Sequence, residues 1–496
     1  MSTQTSRRAF MKAAFAAGAG LAAAPVLAAD GASAGKDGMP ERTYDVVVLG
    51  AGTAGLVTAI SAADAGAKVA VLEKCDRPDG NSIYAVGGLA AWGTKFQKSK
   101  GIKDTREDFY DTMMKVSVGR ADPALTAVYA DHISADVDWL QEEMGVPFKG
   151  TMVSPWPLLS RCILIDGNGI TGGAKLVQTL LAQALKRKVD VFYEHKAVKL
   201  ETTPAGAVCG VIAQTPKERV RFNAKGGVVI ATGGFSANSE YTSLYIGDWA
   251  GRLALRGSHS VTGENIRLAR PLFAKFVNMS QFHAGPIDSK THINPQAILN
   301  SGYGFIVNMQ GERFLDEAHT YVEKAKECAQ LTQENRAWQI LDSTWEPMTT
   351  YLKNYKRLNA FIAQADTIED LCRQAGLPEK AFKATLEGFN KAVAEKTTAK
   401  LSPACTLASP KPVLKAPFYA VPFEGGMTTT YGGPKINTKA EVENLEGKVI
   451  KGLYAVGNAA GGLFYKDYLG GSQLGGSTVF GRIAGREAAM RAKAAA

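Results

Sequence analysis

Residues 44–55, YDVVVLGAGTAG, decide the fold that this sequence predicts. A β-branched run typical of a buried strand leads at once into a small-residue turn, and residues 56–67 (LVTAISAADAGA) then favour a helix. In such a unit the first glycine permits a tight turn, the second lets the backbone approach a pyrophosphate, and the third lets the helix pack on the strand. N–H groups at the start of the helix face the anion. The predicted contacts from this turn are Gly50, Gly52, Ala54 and Gly55.

An acidic residue follows at the distance that a ribose contact needs. The next apolar run, residues 68–74 (KVAVLEK), ends in Glu73 and Lys74, and the glutamate lies about 20 residues after the turn, where its carboxylate can accept ribose hydroxyls. A bare GxGxxG pattern also occurs in purely structural turns. Strand, turn, helix and glutamate together predict a dinucleotide cofactor.

Composition excludes several other classes of protein. The 496 residues are 46% hydrophobic and 21% charged, which is enough for a buried core. The formal net charge of +10 comes from dispersed lysines and arginines without a basic run, so we do not expect nucleic-acid binding. The six cysteines are widely spaced and form no CxxC pair, so we expect no metal, iron–sulfur or attached haem site.

The amino terminus predicts an export signal. Residues 6–12 (SRRAFMK) place two arginines before a weakly apolar Ala/Gly stretch, and a small-residue cleavage site follows near Ala28. The apolar stretch, residues 13–27, is shorter than the roughly 20 residues that a membrane span needs. We therefore expect a twin-arginine signal at 1–28, a flexible leader at 29–42, and a periplasmic protein that does not span the membrane.

Residues 79–88, DGNSIYAVGG, add a family resemblance. They resemble the segment that lies along the pyrophosphate and isoalloxazine in the FAD-dependent fumarate reductase and succinate dehydrogenase flavoproteins. The resemblance implies FAD, bound by Asn81, Ser82, Gly87 and Gly88. Members with covalent flavin have a histidine at the position of Asn81, so we expect non-covalent FAD here.

The resemblance extends to two later strands and to the tail. Residues 226–235 (GGVVIATGGF) and 452–462 (GLYAVGNAAGG) each end in glycines, and residues 469–490 continue into a helix whose first turn would face the flavin pyrimidine. Asn458 stands where many members have glutamate, and an amide still hydrogen-bonds a ribityl hydroxyl. The implied contacts are Ala231, Thr232, Gly233, Asn458, Ser472, Gln473 and Leu474.

The implied fold is α/β, a Rossmann-like FAD-binding domain with an inserted α+β capping domain. We predict the FAD-binding domain at 43–281 and 428–496, and the capping domain at 282–427. The insert has apolar positions three or four apart, typical of helices, and the proline-rich stretch 403–422 suggests its exit linker. Capping domains of this family close over the flavin and exclude water.

The sequence departs from the family where a dicarboxylate would bind. The family's proton-donating arginine has Tyr321 as its counterpart, counted from Arg313 in GERFLDEAHTY, and its carboxylate-binding arginine has Tyr468. Residues 428–433 (TTTYGG) stand where the family has a histidine and contain none, whereas His283 resembles a second family histidine near the start of the cap. Without these charges a desolvated dicarboxylate is costly, so we do not expect fumarate or succinate as substrate.

The two tyrosines resemble a pair in the 3-ketosteroid dehydrogenases. There, one tyrosine exchanges a proton and a second polarises the ketone. A phenol, with a pKa near 10, needs a neighbour to exchange a proton near neutrality; His283 or His319 could serve. The alternative is that each tyrosine is a packed residue with a satisfied hydroxyl.

These observations predict an enzyme that reduces an activated carbon–carbon double bond in a small organic acceptor, an enoate or enone, with Tyr321 handling the proton and Tyr468 and His283 assisting. Export favours reduction of the acceptor over its oxidation, because flavin outside the cytoplasm would receive electrons from a separate donor, such as a c-type cytochrome or a quinol-linked protein. Two alternatives stay open: a ketosteroid-type dehydrogenase acting on a large neutral enone, and a non-catalytic electron-transfer flavoprotein.

Overall fold

The computed structural model describes residues 33–34, 38–152 and 159–495. The predicted export signal at residues 1–28 lies outside the described residues, and so do residues 29–32 and 35–37 of the predicted leader. The end of that leader is ordered into secondary structure, because the strand Pro40–Leu49 begins within it.

Strands alternate with helices along most of the described chain. The strands are β1 Ser33–Ala34, β2 Pro40–Leu49, β3 Val69–Leu72, β4 Gly88–Ala90, β5 Phe148–Met152, β6 Cys162–Ile165, β7 Asp190–Phe192, β8 Lys196–Thr202, β9 Val208–Gln214, β10 Arg219–Ile230, β11 Ala254–Leu255, β12 Phe276–Val277, β13 Phe282–Ile287, β14 Phe305–Val307, β15 Ala337–Asp342, β16 Ala363–Ala365, β17 Phe418–Thr430, β18 Gly433–Pro434, β19 Glu441–Glu443 and β20 Val449–Ala455. The helices are α1 Thr53–Asp64, α2 Lys95–Lys98, α3 Arg106–Val116, α4 Pro123–Glu142, α5 Gly172–Lys186, α6 Ser239–Tyr245, α7 Glu264–Ala269, α8 Gln296–Leu299, α9 Tyr321–Leu331, α10 Met348–Arg357, α11 Ile368–Ala375, α12 Glu379–Ala394 and α13 Ser472–Ala494.

The chain folds into two compact units. The first comprises the described residues of Met1–Phe235, Ser260–Gln281 and Tyr431–Ala496. The second comprises Ser236–His259 and Phe282–Thr430. The segment Ser236–His259 packs with the second unit because β11 pairs with β17 of that unit. The domain bounds predicted from sequence place this segment in the FAD-binding domain, within 43–281.

The first unit is built on a sheet with strand order β19-β20-β10-β2-β3-β7. The pairs β2–β3, β3–β7, β2–β10 and β10–β20 are parallel. Residues 46–49 of β2 are almost fully buried, as expected for a central parallel strand covered on both faces. Helix α13 packs closely on α1 at Gly485, since a Cβ there would come within 2.4 Å of the Thr58 carbonyl oxygen.

The second unit contains a mixed arrangement of a sheet and helices. Its sheet has the order β11-β17-β15-β14, with β13 and β16 also paired to β17. The long strand β17, Phe418–Thr430, begins inside the stretch that the sequence predicts as a linker. That part of the prediction was wrong: Pro422 pairs in register with Trp338 of β15, and the strand is mostly buried.

Among the described residues, no helix is both long enough and apolar enough to cross a membrane.

Candidate functional site

The register of the first unit brings four strand ends into one row. Leu49 of β2 pairs with Leu72 of β3 and with Ile230 of β10, and Ile230 pairs with Ala455 of β20. Because these strands are parallel, the residues that follow them emerge at the same edge. The sequence-predicted cofactor residues that follow directly at this edge are Gly50, Gly52, Glu73, Lys74, Ala231, Thr232, Gly233 and Asn458.

The glycines of the turn after β2 have separate roles. A Cβ at Gly50 would lie 2.6 Å from the Ala231 carbonyl oxygen, and one at Gly55 would lie 1.9 Å from the Gly50 carbonyl oxygen. The fold itself therefore requires these two glycines. At Gly52, with φ of −77°, an added Cβ would meet nothing closer than 3.6 Å. The protein leaves room at Gly52 that packing does not need, as a turn facing a pyrophosphate should.

The start of α1 is open to an anion. Its N-cap, Gly52, provides no side-chain cap, and the first turn has no acidic residue. Thr53 N donates to Ser82 Oγ at 3.3 Å, which ties the turn to the predicted FAD segment. The Thr53 hydroxyl is buried without a hydrogen-bond partner among the described residues. Such an orphan costs about 1–3 kcal/mol unless a bound group satisfies it, so the residues present fit a pyrophosphate.

Glu73 is held in place by backbone donors. Its carboxylate accepts hydrogen bonds from Ala51 N and Cys75 N, both at 2.9 Å, and is 5% exposed. Burial raises the pKa of Glu73, although the two hydrogen bonds oppose that shift. Each carboxylate oxygen has a further lone pair for a ribose hydroxyl.

Lys74, predicted beside Glu73, binds another part of the unit. Its Nζ lies 2.8 Å from the buried carboxylate of Glu264 and 3.0 Å from Thr262 Oγ1. Burial opposes ionisation of Glu264, but Lys74 and Arg267 together lower its pKa. This ion pair fastens the start of α7 to the end of β3.

Gly172 and Gly173, which were not among the predicted cofactor residues, pack against the segment that contains Asn81 and Ser82. Those two residues begin a short 3-10 turn. A Cβ at Gly173 would lie 2.0 Å from the Ser82 carbonyl oxygen, and Gly172 N donates to Val86 O at 3.0 Å. The signal was the run TGG at 171–173 before an amphipathic helix. It brings α5 against the loop that continues to Gly87 and Gly88.

Helix α13 begins at Ser472, as the sequence predicts, so that Ser472, Gln473 and Leu474 form its first turn. Both side-chain amide atoms of Gln473 are buried without a hydrogen-bond partner among the described residues. Gln473 also lines a cavity of about 20 Å³ within the unit, a volume that suits about one water molecule. The backbone N–H of Gln473 lies at the positive end of the helix dipole, where it is suited to donate a hydrogen bond to a flavin.

The second unit brings Tyr321 and His283 together. Tyr321 is the first residue of α9, where a capping box between Thr320 and Glu323 fixes the helix start. His283 lies in β13 and is 4% exposed. Tyr321 Oη lies 3.5 Å from His283 Nε2, and the two rings meet edge-on with centroids 5.9 Å apart. The distance is long for a hydrogen bond but short enough for proton exchange after a small movement.

The other candidate helper is engaged elsewhere. His319 Nδ1 lies 2.9 Å from a carboxylate oxygen of Glu327 on α9. Arg313, from which the position of Tyr321 was counted in the sequence, forms a buried ion pair with Glu317. It also donates to the Pro403 carbonyl oxygen at 2.7 Å. Between the two histidines, the geometry favours His283 as the partner of Tyr321.

Tyr468 lies in the first unit within an aromatic group. Its ring is 6.1 Å from that of Tyr431 and 5.9 Å from that of Phe464, measured between centroids. Its backbone N–H donates to Asp467 Oδ1 at 2.8 Å. These contacts orient the ring, and the packed-residue interpretation therefore stays open for Tyr468.

One charged residue near His283 escaped the sequence analysis. Arg256 follows β11, and its Nη1 donates to Thr428 Oγ1 at 2.9 Å. Its guanidinium lies against Gly285 of β13, where a Cβ would be 2.3 Å from Nη1. No motif pointed to Arg256, because only the pairing of β11, β13 and β17 brings it against Gly285, two residues from His283 on β13.

Three potential metal ligands also lie together in the second unit. Atoms of Asp316, Glu317 and Cys405 are within 4.8 Å of one another. Glu317 is paired with Arg313, and Asp316 accepts hydrogen bonds from Thr406 N at 2.9 Å and Oγ1 at 2.7 Å. The carboxylates thus have structural partners that account for their positions.

The geometry of the first unit defines a class of protein. Parallel strand ends, a glycine turn, an uncapped helix start and a buried glutamate are the arrangement of a dinucleotide-binding oxidoreductase. The model of the FAD binding domain family matches residues 45–479.

Individual relatives narrow the class. An NADH:fumarate oxidoreductase of Klebsiella pneumoniae is 31% identical over 92% of this chain, which spans 49% of that relative's length. A fumarate reductase (cytochrome) of Shewanella frigidimarina is 30% identical, covering 92% of this chain and 78% of the relative. The chain belongs to the FAD-dependent fumarate reductase and succinate dehydrogenase flavoprotein family; it is an FAD-dependent oxidoreductase, and FAD is its cofactor.

Solved structures confirm the predicted α/β fold class. A flavocytochrome c3 fumarate reductase in an open conformation has a TM-score of 0.79 and 29% identity, covering 91% of this chain and 79% of that one. A 3-ketosteroid-delta4-(5alpha)-dehydrogenase from Rhodococcus jostii RHA1 has a TM-score of 0.71 and 27% identity, covering 90% and 97%. A vinyl phenol reductase of Lactiplantibacillus plantarum is 27% identical over 90% of this chain and 97% of its own length.

Proposed function

We propose that this protein reduces an activated carbon–carbon double bond in an enoate or enone, and that fumarate is not its substrate. The observation that carries the proposal is the contact between Tyr321 Oη and His283 Nε2, at the place where the family resemblance implies the proton donor. The relatives support the reaction type, since they include reductases named for fumarate and for vinyl phenol, acceptors with very different polar groups.

The proposed reaction adds two electrons and two protons to the double bond, as a hydride at one carbon and a proton at the other. When bound and reduced, FAD would supply the hydride for one carbon of the double bond. Tyr321 Oη gives its proton to the other carbon, next to the activating group. His283 then returns a proton to the phenolate, which restores the hydroxyl for the next turnover. Tyr468 would hydrogen-bond the activating carbonyl.

The cofactor contacts follow from the strand edge described above. We propose that the turn at Gly50–Gly55 and the start of α1 bind the pyrophosphate, and that Glu73 binds the ribose. Asn81, Ser82, Asn458 and the first turn of α13 would bind the ribityl chain and flavin. The absence of a histidine at Asn81 supports non-covalent attachment.

A ketosteroid-type dehydrogenase remains the second candidate. The likeness to the Rhodococcus jostii enzyme covers 97% of that chain. The resemblance of Tyr321 and Tyr468 to the tyrosine pair of the 3-ketosteroid dehydrogenases also supports this candidate. A non-catalytic electron-transfer flavoprotein is the candidate from another class.

The decisive experiment is an anaerobic acceptor screen. Holoprotein reduced with dithionite is mixed with enoates, cinnamates, neutral enones or a 3-ketosteroid, and flavin absorbance is followed. Reoxidation by enoates or small enones supports the proposal, and reoxidation by the steroid alone favours the second candidate. If no organic acceptor reoxidises the flavin while a small redox dye does, the protein is an electron carrier.

We further propose export by the twin-arginine route and reduction by a separate donor, a c-type cytochrome or a quinol-linked protein. The residue pattern at 6–28 supports export. Replacing Arg7 and Arg8 with lysine in the full chain should retain the protein in the cytoplasm, as measured by fractionation. Unchanged localisation of that variant would contradict this route.

A further inference from the structure

The side chain of Arg256 lies against a pair of glycines in the sheet of the second unit. Gly285 of β13 and Gly426 of β17 face each other in register. A Cβ at Gly285 would lie 2.3 Å from Arg256 Nη1, whereas one at Gly426 would first meet the Gly285 carbonyl oxygen at 2.9 Å and lie 3.2 Å from Arg256 Cβ. Glycine inside a strand costs about 0.5–1 kcal/mol relative to alanine. The missing side chain at Gly285 leaves the space that the Arg256 guanidinium occupies on this face of the sheet.

A β-bulge aims the partner of Arg256. His283 pairs with Thr429 and Ala284 pairs with Met427, so Thr428 is the extra residue of β17 opposite the His283–Ala284 step. Arg256 Nη1 donates to the hydroxyl of this residue. Bulges often redirect a side chain beside an active site. Here the bulge is directly across from the histidine that contacts Tyr321.

The arginine, the bulge and the tyrosine–histidine pair thus form one cluster. Gly285, against which the guanidinium lies, is two residues from His283 on the same strand. A guanidinium stays charged at any pH at which the protein is folded, and its fork can donate two parallel hydrogen bonds to one carboxylate. The sites matched to the family's carboxylate-binding arginine and one histidine hold Tyr468 and threonine, so they supply no such charge.

We propose that Arg256 binds the single carboxylate of the acceptor, which makes the substrate a monoanionic enoate and not a neutral enone. This inference rests on the proposed function and narrows its substrate class. Binding the carboxylate beside Thr428 would place the adjoining carbon, the one that receives the proton, near Tyr321. The competing interpretation is that Arg256 is only a strut joining β11, β13 and β17.

The test compares two acceptors that share a skeleton. The reduced holoprotein is assayed anaerobically with cinnamate and with benzylideneacetone, in which an acetyl group replaces the carboxylate. The variants are Arg256→Gln, Arg256→Lys and, as the matched control, Arg252→Gln, whose guanidinium donates to the Ala329 carbonyl oxygen at 3.1 Å. FAD content and the thermal midpoint are measured for each.

Arg256→Gln should lower kcat/KM for cinnamate by about 10- to 100-fold, the range of a charge-assisted hydrogen bond, and change the value for the enone less than about threefold. Arg256→Lys should recover part of the loss, because the charge remains without the fork. Arg252→Gln should change neither value. An equal loss for both acceptors would identify a strut, and no loss for either, or a parental preference for the enone, would also overturn the proposal.

A binding measurement separates this inference from the proposed function. The oxidised holoprotein is titrated with 3-phenylpropanoate, the saturated acid, and the change in flavin absorbance gives Kd. Weaker binding to the Arg256→Gln variant only, without turnover of any acceptor by the parent, would retain the anion site while refuting the reductase. Unchanged Kd in that variant would refute the anion site, whatever the parent reduces.

Discussion

At the residue scale, Gly52 separates the needs of the cofactor from those of the fold. Gly52→Val should abolish FAD binding, because its side chain would occupy the space that we assign to the pyrophosphate, while the apoprotein still folds. The measurements are flavin absorbance per protein and the circular dichroism of the apoprotein. Gly55→Ala is the contrasting variant: its Cβ would lie 1.9 Å from the Gly50 carbonyl oxygen, so it should damage the fold itself. A yellow Gly52→Val protein would contradict the assigned turn.

Tyr321 carries the proposed proton transfer. Tyr321→Phe removes one hydroxyl and leaves the Thr320–Glu323 capping box intact, so folding and FAD content should persist. Turnover should fall about 100-fold or more, the usual scale for losing a general acid. The measurement is anaerobic reoxidation of reduced flavin by the best acceptor of the screen. A variant that turns over at the parental rate would reject Tyr321 and direct the search to His283 and His319.

Tyr468→Phe should affect both binding and rate. If this hydroxyl polarises the substrate carbonyl, its loss should raise KM and lower kcat by about 10²-fold in total, comparable to losing one oxyanion donor. The aromatic contacts with Tyr431 and Phe464 do not need the hydroxyl, so stability should change little. Parental kcat and KM would support the packed-residue interpretation of Tyr468 instead.

At the element scale, the sequence predicts elements best where local pattern and tertiary role agree. The strand, turn and helix at residues 44–67 follow from β-branched residues and glycines, and the structure forms them as β2 and α1. The same holds for α13, which starts where glycines give way to helical spacing. The first unit's site could therefore be outlined from sequence.

Elements defined by distant pairing were harder to predict. The first residues of β17, 418–422, were predicted as part of a linker because prolines obscure strand periodicity, yet β17 pairs with β13, β15 and β16. Arg256 was missed because its neighbours are distant in the sequence. Gly285 is about thirty residues away, and Thr428 is 172 residues away. Local patterns contain no information on such pairings.

Helix α9 contains a buried lysine whose titration should be measurable. Lys324 is 2% exposed, and its Nζ donates to the Leu299 carbonyl oxygen at 2.6 Å. Burial lowers its pKa to about 8 from the ordinary 10.5. Between these values the unfolded chain binds more protons than the native one, so the stability that this group contributes rises with pH across that window. Below about pH 8 the whole penalty remains.

Lys324→Met removes that titration. Relative to the parent, its thermal midpoint should be highest near pH 7.5, and the difference should shrink by several degrees towards pH 10. The lost hydrogen bond to Leu299 adds a constant offset that does not depend on pH. Parallel midpoint curves for parent and variant, measured from pH 7 to 10, would show that Lys324 does not titrate in this window. Lys383→Met, on α12, is the control. Hydrogen bonds to Glu369 and Glu379 raise the pKa of Lys383 above its ordinary 10.5, so this lysine stays protonated from pH 7 to 10 and its loss should leave the pH dependence nearly unchanged.

At the scale of the whole molecule, the two units contribute different chemistry to one proposed reaction. The first unit follows the family closely at the strand edge that suits FAD. The second unit departs from it at Tyr321, which lies beside His283, and Arg256 lies against the same strand two residues from that histidine. Selection for a new acceptor can thus act on the second unit while the cofactor site stays the same. The most informative variants for specificity therefore lie in Ser236–His259 and Phe282–Thr430.

The attachment of FAD is a property of the whole holoprotein, and we expect it to be non-covalent. An asparagine amide at position 81 is not a nucleophile, so it cannot form the bond that a histidine forms in covalent members of the family. Acid precipitation should release all flavin into the supernatant, where absorbance identifies it as FAD. The pellet should show no flavin fluorescence after denaturing electrophoresis, and the apoprotein should regain its thermal midpoint when FAD is added, because a ligand that binds only the native state stabilises it. Fluorescence that stays with the denatured chain would show covalent attachment through another residue, and peptide mapping would then locate it.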